Sequence, residues 1–268
     1  MKRLPGVFQA RKKNGDIYFR SSVTFRGKHI SLGSFATQEE GHRTYTIAAN
    51  LLKSEIRFLP DDYRPCELPF SKWVVLNNFK NNGLYIKTPI YLQANYFEYY
   101  LSREDVLLFD ADDLFYYSHH SIMRRGGHLF VADYGMQVNI ASRYGIKNFA
   151  VENRDYRFVN GNDHDYRYAN IEILNSYHGV TRQPDVYAAV YVAKIHINGD
   201  HIIGRYPTDT EAAIAYNKAA DLLQEAGIGI QYASNYLSEL TSEEYHRIYR
   251  EISFEPRFSG YISGLQSI

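Results

Sequence analysis

At 268 residues the chain is long enough for two or three small domains, and its 45% apolar content is ordinary for a globular protein, with 25 tyrosines as the one excess. Lys+Arg and Asp+Glu balance at 30 each, so net charge alone marks neither a nucleic-acid binder nor an acidic tail. The lone cysteine, Cys66, excludes an intrachain disulfide and a multi-cysteine zinc site; no apolar run reaches membrane-spanning length and Met1-Lys2-Arg3 is not followed by a signal-type apolar stretch, so a cytoplasmic protein is expected.

The charge balance conceals an uneven distribution. Residues 1–57 hold eleven Lys and Arg against Asp16, Glu39, Glu40 and Glu55, which makes a basic module. Within it Phe19, Ser21, Val23 and Phe25 alternate with Tyr18, Arg20, Ser22, Thr24 and Arg26, the period-two pattern of a strand with two unlike faces. Arg26-Gly27-Lys28 reads as a hairpin turn, with His29 to Leu32 as the returning strand. Thr37-x-x-Glu40 is a capping box, and Gly41, Tyr45, Ala48, Ala49 and Leu52 follow at helical spacing. One sheet face is expected to pack on this helix and the other to stay open.

A linker at 60–65 leads into a middle region, 66–177. Strands are expected at 85–92, 115–119 and 128–132, with a hairpin turn at Arg125-Gly126-Gly127. The acidic run Asp105–Asp113 reads as a solvated turn or short helix, and 138–144 as a helix. His119, His120 and His164 lack partners at ligand spacing, so no metal is expected.

Residues 178–226 repeat the first module. Gly6-Val7 recurs as Gly179-Val180, and Thr37-x-x-Glu40 as Thr208-x-x-Glu211, a second capping box. Gly27, His29 and Ile30 fall on Gly199, His201 and Ile202. One residue is then dropped, and Gly33, Phe35 and Tyr45 fall on Gly204, Tyr206 and Tyr216. This copy is slightly acidic: Arg182, Lys194, Arg205 and Lys218 face Asp185, Asp200, Asp209, Glu211, Asp221 and Glu225. In the remainder, 227–268, Thr241 caps a helix whose Tyr245, Ile248, Tyr249 and Ile252 share a face; no element is read after Ser253.

The order Gly-Val, alternating strand, Gly turn, Leu-Gly-x-Phe-x-Thr and Glu-rich helix start resembles the plant ethylene-response-factor (APETALA-type) DNA-binding domain, in two copies. The resemblance implies a three-stranded antiparallel sheet in the DNA major groove with a helix behind it. The family's strand tryptophans are absent, and the arginine after Gly-Val is replaced by Phe8 and Thr181. Between the copies, Gly161, Asp165, Arg167 and Asn170 resemble the HNH motif of homing endonucleases. There the pattern's water-activating histidine falls on Phe158, a metal-binding histidine on Asn139 and an asparagine on Tyr166. Phenylalanine cannot take a proton, so a scaffold without its chemistry is expected.

The fold class expected is α+β: two sheet-plus-helix modules flanking an HNH-like α+β middle. The expected function is sequence-specific binding of double-stranded DNA, as a bacterial or phage transcription regulator descended from a homing endonuclease. Two readings stay open beside it, an active HNH endonuclease that uses His164 and a module that binds a protein partner or a second copy. The candidate DNA-contacting residues are Arg11, Lys12, Lys13, Tyr18, Arg20, Ser22, Thr24, Arg26, Lys28, His29 and Ser31 in the first copy. In the second they are Arg182, Lys194, His196, Asn198 and His201. No catalytic residue and no cofactor is expected.

Overall fold

The computed structural model of the chain describes residues 3–148, 150–183 and 189–265; Lys2 and Asp185, counted among the charges above, lie outside them. The class is α+β, built from small antiparallel sheets and six α-helices among the described residues. The chain divides into two compact units. One comprises residues 1–144 with 162–170, the other residues 145–161 with 171–268. These divisions differ from the expected boundaries at 57, 66 and 177.

The first unit begins with a sheet of β1 (Val7–Arg11), β2 (Ile17–Phe25) and β3 (Lys28–Phe35), followed by α1 (Gln38–Lys53). Arg26 and Gly27 both have positive φ and join Phe25 to Lys28, the two-residue turn whose twist suits a hairpin. The capping box at Thr37 and Glu40 is complete. Gly6 (φ 74°) lies against the Tyr45 ring; a Cβ there would come within 2.1 Å of it. The Ser21 hydroxyl donates to the Gly41 carbonyl at 2.8 Å, which ties sheet to helix through two small residues.

This core does not close at residue 57. The helix α2 (Phe70–Asn82) packs Trp73, Leu76 and Phe79 against Val23, Ile30, Leu32 and Leu51. Pro69 opens α2 and Gly83, in the left-handed region, ends it. Sequence periodicity misses this helix because Trp73 to Phe79 are buried without interruption, leaving no polar stripe.

Next come β4 (Ile90–Leu92), β5 (Tyr96–Tyr100) and β6 (Val106–Asp110), then α3 (Leu114–His119). The strand expected over 85–92 is confined to Ile90–Leu92, and two further expectations fail here. The acidic run contains a strand, because Leu107 and Phe109 alternate into the core while the acids sit at its ends. Residues 115–119 are helical, since only Tyr117 of that stretch is buried, as one face of a single turn would be. Phe97, Phe109, Tyr117, Tyr144 and Tyr166 form a stacked aromatic core, which accounts for part of the tyrosine excess.

A third sheet joins β7 (Ile122–Arg125), β8 (His128–Asp133) and β9 (Met136–Asn139), with the expected turn at Gly126-Gly127. The expected helix at 138–144 is the end of β9 and a 3-10 turn, Ile140–Tyr144. Residues 162–170 complete this unit: the backbone of Leu108 bonds to His164 and Tyr166 on either side of Asp165.

The second unit contains the hairpin β10 (Tyr156–Phe158) and β11 (Ile171–Ile173), then the second repeat. Its sheet is β12 (Val180–Gln183), β13 (Val190–His196) and β14 (Asp200–Tyr206), with α4 (Asp209–Glu225) packed behind. Gly179 (φ 69°) meets Tyr216 as Gly6 meets Tyr45. The capping box is half formed: Thr208 accepts from the Glu211 N–H, but the Glu211 carboxylate takes the Thr208 hydroxyl instead of the cap's backbone N–H. α5 (Ser242–Glu251) has the expected cap and packs Tyr245, Ile248 and Tyr249 on the core. The unread tail forms α6 (Pro256–Leu265), which buries Phe258 and Ile262 one turn apart despite Gly260 and Gly264. No described helix is long and apolar enough to cross a membrane.

Candidate nucleic-acid interface

In each repeat the strand register decides which side chains leave the helix-packed face. In the first, Phe8, Arg20 and Ser34 lie side by side, as do Ala10 and Tyr18, Ser22 and Ser31, and Thr24 and His29. Ser21, Val23 and Ile30 face α1, so these pairs form the open face. It contains no carboxylate. Arg20 donates through Nε (3.0 Å) and Nη2 (2.6 Å) to the Tyr18 hydroxyl, which holds the exposed guanidinium out from the middle strand. Arg3 lies 4.8 Å from the ring centroid of Phe8, which is 46% exposed. Arg3 was not among the candidates and Phe8 entered only as the residue in place of the family's arginine; the pairing of β1 to β2 is what brings Phe8 beside Arg20.

Lys12 and Lys13 lie exposed in the β1–β2 turn, closed by the Lys12 N–H on the Asp16 carbonyl at 2.8 Å. Thr24, His29 and Ser31 are exposed on the open face as expected. Four first-copy positions differ. Ser22 points to the open face but is only 9% exposed, being in the middle strand with its backbone N–H on the Gly6 carbonyl. Arg11 alternates with Val7 and so lies on the helix side of the edge strand. Arg26 and Lys28 lean toward the end of α2: Arg26 Nη1 is 3.4 Å from the Phe79 carbonyl, and Lys28 Nζ is 5.0 Å from the Tyr85 ring centroid.

In the second repeat, β13 and β14 carry a bulge between Ala193 and Lys194, the counterpart of that between Ser21 and Ser22. Aligning the bulges puts Val192 at the place of Arg20, Lys194 at Ser22, Asp200 at His29 and His201 at Ile30. The missing residue therefore lies in the turn, where Thr24 pairs with His29 but His196 with Asp200. This corrects the pairing of His29 with His201. His201 faces the core, its ring 4.7 Å from that of Tyr261 on α6. Arg182 pairs with Tyr191 on the side of the buried Val180, off the open face. Lys194, His196 and Asn198 remain on the outer face or its turn.

That face differs sharply in character. Val192 is 1% exposed. His196 Nδ1 lies 2.9 Å from Asp200 Oδ1, a bond that is the main reason the Asp200 carboxyl is held below its ordinary pKa. Arg205 is ion-paired with Glu255.

The HNH-like residues hold structure together. Arg167 binds both oxygens of the buried Asp165 at 2.8 and 2.6 Å, and the Asn170 amide donates to the Asp165 carbonyl at 2.8 Å. Phe158 is buried, and Asn139 accepts from the Ala141 N–H at 3.0 Å. His164 is flanked by Asp163 (2.6 Å) and Asp105 (3.2 Å), and Asp105 also takes Arg124. His119 and His120 bond to carbonyls of their own helix. Among the described residues no group of three or more His, Cys, Asp or Glu could hold a metal ion.

Comparison with known proteins leaves these residues to be read on their own: no family model, no curated protein and no solved structure matches the chain.

Proposed function

We propose that the protein is a sequence-specific double-stranded-DNA-binding regulator that reads the major groove with the sheet of its first repeat. The open face of β1–β3 carries this reading: an exposed arginine braced by Tyr18, with Thr24, His29 and Ser31 farther along the same face, without a carboxylate, on a module rich in Lys and Arg. A sheet of this width fits the major groove, and an arginine presented rigidly can take both acceptors of a guanine edge. Lys12 and Lys13 would contact phosphate, which adds affinity without sequence information. The buried Val192 and the His196–Asp200 pair argue that the second repeat does not read DNA the same way.

The HNH-like segment, in this reading, does not cut. Phe158 offers no proton acceptor, and both ring nitrogens of His164 face carboxylates already. The test is selection of bound sequences from random duplexes by the full chain, with magnesium and with chelator. The expected result is one enriched short motif, bound equally in both conditions and left unnicked. No enrichment would sink the proposal, and nicks that His164→Ala abolishes would replace it with the nuclease reading.

A further inference from the structure

The second unit contains a cavity of about 390 Å³ lined by residues 145–148, 150 and 154–156, by the start of β12, by Lys194 to His196 of β13 and by Tyr216 of α4. Its charged lining is unevenly matched. Arg154 is held by Asp155 through Nε and Nη2, at 3.1 and 2.6 Å, and His196 is held by Asp200. Lys147 and Lys194 line the same cavity, and neither ammonium is hydrogen-bonded to a carboxylate among the described residues. Lys194 lies close enough to Asp200 to help lower its pKa, and Lys147 Nζ lies 5.5 Å from the Tyr177 ring centroid.

We propose that this cavity binds a small phosphate monoester, its phosphate between Lys147 and Lys194 and its organic part along Tyr156 and Tyr177. Two ammonium groups that no carboxylate hydrogen-bonds among the described residues match a dianion, the charge a phosphate monoester approaches at neutral pH. A volume of this size fits a small organic molecule and exceeds what inorganic phosphate fills. Burial lowers the pKa of Lys147, and burial with the Lys147 charge lowers that of His178, which lines the same wall. The opposite charge of a bound dianion favours the protonated form of both groups. The inference does not rest on DNA binding, since it uses only the second unit.

The test is calorimetric titration of the full chain with ribose 5-phosphate, inorganic phosphate and acetate at constant ionic strength. Ribose 5-phosphate is expected to bind at least about tenfold more tightly than either of the others. Lys147→Gln and Lys194→Gln should each weaken it by about tenfold while leaving thermal unfolding unchanged, and Lys194→Arg should restore most of the loss. Acetate or inorganic phosphate binding as tightly as the ester overturns the assignment. So does equal binding by the glutamine variants, or no heat with the wild type at about 10 mM ester.

Discussion

The two repeats share a skeleton and differ in what they do with its outer face. Both set a positive-φ glycine against a helix tyrosine, both place a bulge one step before the same strand position, and both start their helix on a threonine. In the first, the bulge-aligned position holds the exposed Arg20; in the second it holds the buried Val192. What was preserved is the packing between sheet and helix, which tolerates little change. What diverged is the face that contributes nothing to that packing, where substitution is cheap until something covers it.

The largest expected effect breaks the equivalence directly. Val192→Arg would bury an unpaired guanidinium and should destabilise the second unit by about 4 kcal/mol in urea unfolding, without improving DNA affinity. A stable variant with tighter DNA binding would show that the second face is free to act as the first does. Next are the shared glycines. The three atoms nearest to a Cβ on Gly179 include the Lys194 carbonyl at 2.4 Å beside the Tyr216 ring, whereas the three nearest to one on Gly6 all belong to the Tyr45 ring. Gly179→Ala should cost about 3 kcal/mol and Gly6→Ala about 2, from backbone strain and overpacking together. A Gly6→Ala loss larger than that of Gly179→Ala would contradict the ranking.

On DNA, Arg20→Ala should cost about 1–3 kcal/mol of specific binding if it reads a guanine, while Lys194→Ala changes nothing. Lys13→Ala should weaken all sequences alike and lower the salt slope by about one. Gel shifts across a salt series measure all three. The smallest effect concerns the caps. Glu40 returns a hydrogen bond to the Thr37 backbone and Glu211 does not do so for Thr208, so Glu40→Ala should lose about 0.5 kcal/mol and Glu211→Ala less. Equal losses would mean that the second box closes in solution.

The repeat, its hairpin turn and its capping residues were legible because each depends on neighbours in sequence. The bulge was not: Leu32 and Ile203 are the extra residues opposite it and look like any strand residue, so the pairing of His201 slipped by one. The acids around Val106–Asp110 masked a strand because charge was read as exposure, while Asp113 is buried with Arg143 and Tyr144 on its oxygens. The open-face placement of Tyr18, Arg20, Thr24, His29 and Ser31 followed from alternation, whereas a role on DNA was implied only by the family resemblance. The drift of Arg26 and Lys28 toward the end of α2 depends on a segment far away in the chain, which alternation cannot register.

The excursion of residues 162–170 into the first unit has a consequence for how the protein is made. A ribosome that has released residue 144 has not yet supplied Asp165 and Tyr166, which fill the place beside Leu108 and Phe109. At ordinary synthesis rates this delay is on the order of 1–5 seconds, during which that edge of β6 faces water or a chaperone. Expression vectors that stop at residue 144 would fix the chain in that unfinished stage permanently. A stop placed after residue 170 would be the earliest that supplies every part of the first unit.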